Sequence, residues 1–272
     1  MGHGDKTDVS FVGSIPENYD RYLGPAHFEP FADDLAGRVA SAQPRGAVLE
    51  TACGTGIVTK RLRERLPSSV RLVATDLSQP MLDYARAKLA EAFVEWQQAD
   101  AMALPFEASS FGAVACGFGV MFVPDKSIAF CETRRVLLPG GTFAFNVWDG
   151  FEGNACSRIV FETICTFFGR KEPEFLKVPF GFNDRSLIRR LLANERFDGI
   201  EIDPVTIKSI SPTARDFAVG VVRGTPTGHE IQQRGIPFDE VVEAITVALT
   251  RVFGTNPFCA DRRALVVTAR AA

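Results

Sequence analysis

The sequence predicts an α/β fold: a doubly wound, mostly parallel seven-stranded sheet with an antiparallel edge strand and a helical cap. Three observations carry this. Apolar runs of strand length alternate with helical patterns across residues 45–149, as crossover-connected parallel strands require. Val48-Leu49-Glu50 runs into the glycine-rich Thr51-Ala52-Cys53-Gly54-Thr55-Gly56 and then a helical pattern, which brings bare backbone and a helix N-terminus up to a ligand. After Asp149 the rhythm breaks, and seven phenylalanines crowd residues 151–182.

Ile15–Tyr22 reads as a short helical piece. Phe28, Phe31, Ala32, Leu35, Ala36 and Val39 then mark one face of an amphipathic helix, closed by Gln43-Pro44-Arg45-Gly46. Strand one covers about 46–50, and a helix follows from Gly56 to about Leu66. Strand two covers 71–75; Ser78 caps the next helix, with Pro80 in its first turn. Strands three, four and five are expected at 93–98, 112–116 and 142–147, with a helix over 125–137. Helices are expected over 154–169 and from Asp184 to Leu192, strands at 199–209 and 263–269, and two or three helices over 212–253.

The 272 residues suffice for one generous domain or a core with a cap. A net charge of -3 with no basic block gives nucleic-acid binding no support. No apolar run is long enough to span a membrane, and Met1–Lys6 lacks the apolar core of a secretory leader, so a cytoplasmic protein is expected. Six cysteines without a C-x-x-C pair read as free thiols, and three scattered histidines give no metal site.

Twenty residues after Gly56 stands Asp76, at the end of strand two, where an α/β nucleotide site grips ribose hydroxyls. An adenosine-containing cofactor is implied. A nicotinamide fingerprint needs a small residue three positions after its second glycine; Thr59 stands there. The chain instead has Glu50 four residues before Gly54. That acid would repel a pyrophosphate and suit an ammonium or sulfonium.

Val48-Leu49-Glu50-x-Ala52-Cys53-Gly54-x-Gly56 resembles motif I of class I S-adenosylmethionine-dependent methyltransferases of the menaquinone/ubiquinone-biosynthesis-like group. Asp76, Asp100-Ala101 with Leu104-Pro105-Phe106, Cys116-Gly117-Phe118 and Glu132-x-x-Arg135-Val136-Leu137-x-Pro139-Gly140-Gly141 follow in the order and spacing of that family. The resemblance covers about 45–149 and implies a single Rossmann-like methyltransferase domain. Residues 1–44 would form lid helices, 45–149 the cofactor core, 150–197 a Phe-rich cap, and 198–272 the strands and helices completing the sheet.

The resemblance also implies roles. Ala52, Gly54 and Gly56 would let the backbone approach the cofactor's methionine portion, and Glu50 would hold its ammonium. Asp76 would accept from the ribose. Leu77 and Met81 would sandwich the adenine, which Asp100 and Ala101 would hydrogen-bond. Cys116, through its backbone carbonyl, would bind the ammonium, Phe118 would stand beside it at the end of strand four, and Tyr19 or Tyr22 would reach in from the lid. S-Adenosylhomocysteine would be the product. Trp148, Phe151, Phe161, Phe168, Phe180 and Phe182 are candidates for a pocket holding a small, partly apolar acceptor, and His27 is the candidate base. Glu132 and Arg135 read as a solvated or structural helix face. Rival readings are a nicotinamide-dependent oxidoreductase, a cofactor-binding protein of this fold without turnover, and a protein or nucleic-acid methyltransferase. The last would carry an N-P-P-Y-type segment where Cys116-Gly117-Phe118-Gly119 stands.

Overall fold

A computed structural model describes residues 13–254 and 256–272; Met1–Lys6, read above for a leader, lie outside the described residues. Seven strands form one sheet: β1 (Ala47–Glu50), β2 (Leu72–Asp76), β3 (Glu95–Gln98), β4 (Phe111–Gly117), β5 (Leu137–Trp148), β6 (Phe197–Ser211) and β7 (Phe258–Ala271). Their order is β3-β2-β1-β4-β5-β7-β6. The first five are parallel, while β7 pairs antiparallel with both β5 and the edge strand β6. The antiparallel strand expected at the edge is thus second from it.

Strand β1 is buried throughout, as a central parallel strand must be, with Val48 in one core layer and Leu49 in the other. Helices α1 (Ile15–Asn18), α2 (Glu29–Ser41), α3 (Ile57–Arg65), α4 (Gln79–Lys88) and α5 (Lys126–Val136) accompany the parallel half. Between α1 and α2 the chain forms a π-helix, Tyr19–Phe28, in which the Glu29 N–H donates to Gly24 O. Such helices are rare and recur at functional sites.

Past β5 come α6 (Ala155–Phe168) and α7 (Arg185–Asn194), then α8 (Ala214–Arg223), α9 (Thr227–Gln233) and α10 (Phe238–Phe253). Asp184 caps α7 by accepting from the Ser186 and Leu187 N–H groups. The cap differs from the expected 150–197 unit. Helix α6 packs with α8 and α10 in a separate core that includes Ile164, Phe217, Ile245 and Phe258, whereas Ile188 and Leu192 of α7 join the main sheet core. The cap is therefore assembled from two separated stretches.

Backbones meet tightly where β4 begins. A Cβ on Gly112 would overlap the Arg45 carbonyl and lie 2.7 Å from the Arg45 nitrogen. Backbone cannot yield as a side-chain tip can. Gly112→Ala is expected to lose about 1–3 kcal/mol or more of stability, read as a lower midpoint in denaturant unfolding.

Candidate active site

The strands β1, β2 and β4 end at one edge of the parallel sheet, and the chain leaving β1 is held there by a hydrogen bond to each neighbour. The Thr51 N–H donates to Ala115 O and the Cys53 N–H to Thr75 O, both at 2.9 Å. The Gly54 N–H donates to Asp76 Oδ2 at 2.8 Å. Gly54 and Gly56 have φ of +55° and +77°, the left-handed region that favours glycine. A Cβ on Gly54 would meet nothing within 4 Å, whereas one on Gly56 would press on Leu89 Cδ1 at 3.0 Å and Ala85 Cβ at 3.2 Å. Gly56 thus serves helix packing as well as the turn, a demand distinct from approach to a ligand. Ala52 and Phe118, at the ends of β1 and β4, also take positive φ, 52° and 54°. Non-glycine strain of this kind concentrates at functional sites.

The turn closes a cavity of about 40 Å³ whose walls include Tyr19, Phe28, Glu50, Thr55, Val58 and Phe118. Among the described residues no basic side chain lines it. Glu50 is buried, accepts from the Thr59 hydroxyl at 2.6 Å, and is pushed up to about 8 chiefly by loss of solvation, with Asp76 adding repulsion. Asp76, also raised by desolvation, accepts from the Ser78 N–H at 2.8 Å as well as from Gly54. The buried Thr55 hydroxyl has no hydrogen-bond partner. With Glu50 in its wall and Asp76 acting on Glu50, the site suits a positively charged group, and Lys88, which pairs with Asp20, offsets this only in part.

Beyond Asp76, Leu77 is 66% exposed while Met81 is buried in α4, so only Leu77 offers a free apolar face. Asp100 Oδ1 accepts from the Met102 N–H at 2.8 Å, a turn that fixes the loop carrying Ala101. Glu132 and Arg135 hold the next stretch. Arg135 donates to Leu104 O (2.8 Å) and Phe106 O (2.6 Å), and Glu132 accepts from the Leu104 N–H (2.8 Å). The pair is structural, and its target is the loop beside the site. Arg135→Ala is expected to raise the KM for the adenosine-containing ligand about three- to tenfold with little change in kcat; steady-state kinetics checks it.

From the π-helix, Tyr19 lines the cavity, and burial beside Asp20 and Asp76 raises its phenol above the usual range. Its ring stacks on Phe28 at 4.8 Å. Tyr22 instead turns toward α8, where its Cβ lies against Gly220. Cys116 is buried, its thiol pushed up to about 11 by desolvation. Phe118 stacks on Trp148 at 4.1 Å, and its N–H donates to Asn146 Oδ1 at 2.9 Å.

Of the pocket candidates, Trp148, Phe180, Phe151 and Phe161 form a continuous ring series, with successive centroids 6.5, 4.5 and 5.4 Å apart. Phe168 and Phe182 stand elsewhere. Phe168 is buried in the cap core under Arg234, and Phe182 in the sheet core under Lys126. His27 is buried against Phe217 (4.5 Å) and Trp148 (6.0 Å). Desolvation and Arg262 hold its imidazole well below the usual range, which makes it a weak base. Sequence reasoning missed Phe28, Thr55, Thr59, Asn146 and Arg262. Thr59 had a signal, lying one helical turn past the glycines on the face that meets Glu50.

Residues 49–145 match the family described as "Methyltransferase domain". A demethylmenaquinone methyltransferase of Lactococcus lactis is 42% identical over 98 residues, 35% of this chain and 39% of that protein. A demethylmenaquinone methyltransferase of Deinococcus radiodurans is 38% identical over 148 residues, 51% of this chain and 61% of that protein. The chain thus spans about two-fifths to three-fifths of these relatives' lengths. Among solved structures, the YcgJ protein of Bacillus subtilis superposes with a TM-score of 0.59 at 16% identity, over 89% of this chain and 98% of that one. Residues 49–145 thus match the methyltransferase domain family, and the chain shares the fold of the YcgJ structure.

Proposed function

We propose that this chain transfers a methyl group from S-adenosylmethionine to a small, partly apolar molecule by direct in-line substitution. The observation that carries the reading is the acidic, cation-free cavity over the glycine turn, with Glu50 buried in it. The residues fit the cofactor: Glu50 for an ammonium, the lone pairs left on Asp76 for ribose hydroxyls, the unpartnered Thr55 hydroxyl for a polar group, and exposed Leu77 for adenine. The bound sulfonium supplies an electrophilic methyl group and a leaving group that needs no proton. The chain's part is alignment and exclusion of water, supplied by the rings of Phe28, Phe118 and Trp148.

The relatives' names favour a quinol- or phenol-like ring as acceptor. The Trp148–Phe180–Phe151–Phe161 series supports an apolar body for it. Tyr19 and Phe28 are walls of this cavity, so the π-helix borders the place proposed for the cofactor. We also place the protein in the cytoplasm, without a nucleic-acid partner. All six cysteines are free, and no described helix is long and apolar enough to cross a membrane. Among the described residues no group of side chains is set to hold a metal ion.

The test uses methyl-labelled S-adenosylmethionine against quinols, phenols, amines and natural-product scaffolds. Label in an acceptor, matched by equimolar S-adenosylhomocysteine, is expected. Absence of both methyl transfer to any acceptor and binding of S-adenosylhomocysteine would overturn the proposal.

A further inference from the structure

Strand β5 carries Phe143-Ala144-Phe145-Asn146-Val147-Trp148, one polar side chain in an apolar run, and Asn146 is fully buried. Its Oδ1 accepts from the Phe118 N–H at 2.9 Å, a donor it shares with the Asn146 backbone carbonyl at 3.2 Å. Nδ2 of the same amide has no hydrogen-bond partner. Turning the amide over would set two donors face to face, so the oxygen stands where the N–H requires it. A buried amide that uses only its oxygen is costly beside an apolar residue of the same shape. Costs of this kind, kept in a well-packed strand, mark a functional demand.

What the oxygen holds is a strained residue. Phe118 has φ of +54°, a backbone conformation that side-chain-bearing residues rarely adopt. The backbone on either side is closely packed. A Cβ on Gly117 would lie 2.6 Å from Val58 Cγ2, and one on Gly119 would overlap Ala52 Cβ. The direction of the Phe118 ring is therefore set by its own left-handed turn. That ring is a wall of the cavity, stacks on Trp148 at 4.1 Å and meets Phe28 edge-on at 5.4 Å.

We propose that Asn146 is a positioning residue. Its side-chain oxygen holds Phe118 in the left-handed conformation and so fixes the wall between the cavity and Trp148. Asn146 acts through Phe118 rather than on a ligand. That the cavity is the cofactor's rests on the methyltransferase reading; the hold on Phe118 does not.

Two variants of the full chain test it. Asn146→Leu keeps the size of the side chain and removes the oxygen, whereas Asn146→Asp keeps an acceptor oxygen in either protonation state. Near-ultraviolet circular dichroism reads the packing of Trp148 on Phe118. A changed tryptophan band is expected in Asn146→Leu and the wild-type band in Asn146→Asp. Calorimetry with S-adenosylhomocysteine is expected to give full stoichiometry throughout, with affinity about tenfold weaker in Asn146→Leu and within about threefold of wild type in Asn146→Asp. A merely structural role would lower the folded fraction, and with it the stoichiometry, instead of the affinity. An Asn146→Leu protein that keeps either the wild-type band or the wild-type affinity overturns the proposal. So does a folded Asn146→Asp protein that changes as Asn146→Leu does. An Asn146→Leu protein that does not fold also overturns it, because the residue is then structural. If Asn146→Asp does not fold, Asn146→Leu alone decides. If the wild type binds no S-adenosylhomocysteine, the methyltransferase reading fails by itself, and the tryptophan band still decides the hold on Phe118.

Discussion

Replacing Glu50 by glutamine is expected to stabilise the protein at neutral pH and to weaken cofactor binding at least about a hundredfold. Both effects have one cause. Burial next to Asp76 raises the Glu50 carboxyl to about 8 from an ordinary value of 4.5. Because the folded-state value is the higher one, the folded protein holds this proton while the unfolded chain has released it. The group's contribution to stability is complete below about 4.5 and is lost as pH rises toward 8, by about 1.4 kcal/mol per unit. At pH 7 the loss is on the order of 3 kcal/mol. Glutamine keeps an acceptor for the Thr59 hydroxyl and has no proton to lose, so its midpoint should be higher and its stability flatter from pH 5 to 8. Binding runs the other way. A bound ammonium needs the carboxylate, so cofactor binding at pH 7 should release a proton from Glu50. Calorimetry in buffers of different ionisation enthalpy reads that proton directly. Glu50→Gln should release none, and should leave the ammonium facing no counter-charge, a loss of about 3–5 kcal/mol. A variant that is less stable than wild type, with an unchanged pH slope, would contradict the account.

Asp76→Ala is the second large effect. This carboxylate ties down the Gly54 and Ser78 N–H groups with one oxygen each and is also favoured by the Leu77 N–H, and its remaining acceptor capacity serves the ribose hydroxyls. Alanine removes both services at once. Unpaired polar groups cost about 1–3 kcal/mol, so S-adenosylhomocysteine should bind about ten- to a hundredfold more weakly. Ribose contacts are made equally before and during transfer, so KM should rise more than kcat falls. Asp76→Asn keeps one acceptor oxygen and should lie between. Unchanged affinity by calorimetry would remove Asp76 from the site.

The parallel half of the sheet was legible because its signals are local. Alternating apolar runs place β1 to β5, and glycines at +55° and +77° announce a turn no other residue takes easily. Glu50 was legible as an acid out of place on a buried strand. The cap was not, because periodicity says which face of a helix is apolar but not what covers it. Helices α6 and α7 both carry apolar faces, yet one packs under the cap and the other on the sheet. Phenylalanine has no polar handle, so Phe168 and Phe182 in cores look in sequence like Phe180 beside Trp148 and Phe151 beside Phe180. Arg262 was readable in part. Adjacent residues of a strand face opposite sides, so one arginine of Arg262-Arg263 had to turn inward.

A crystal structure with S-adenosylhomocysteine bound tests the central claim most directly. The account predicts the ammonium on Glu50, both ribose hydroxyls on Asp76, and the adenine against Leu77 beside the Asp100–Phe106 loop. A ligand bound away from the Gly54–Gly56 turn, or one whose ammonium avoids Glu50, would contradict it.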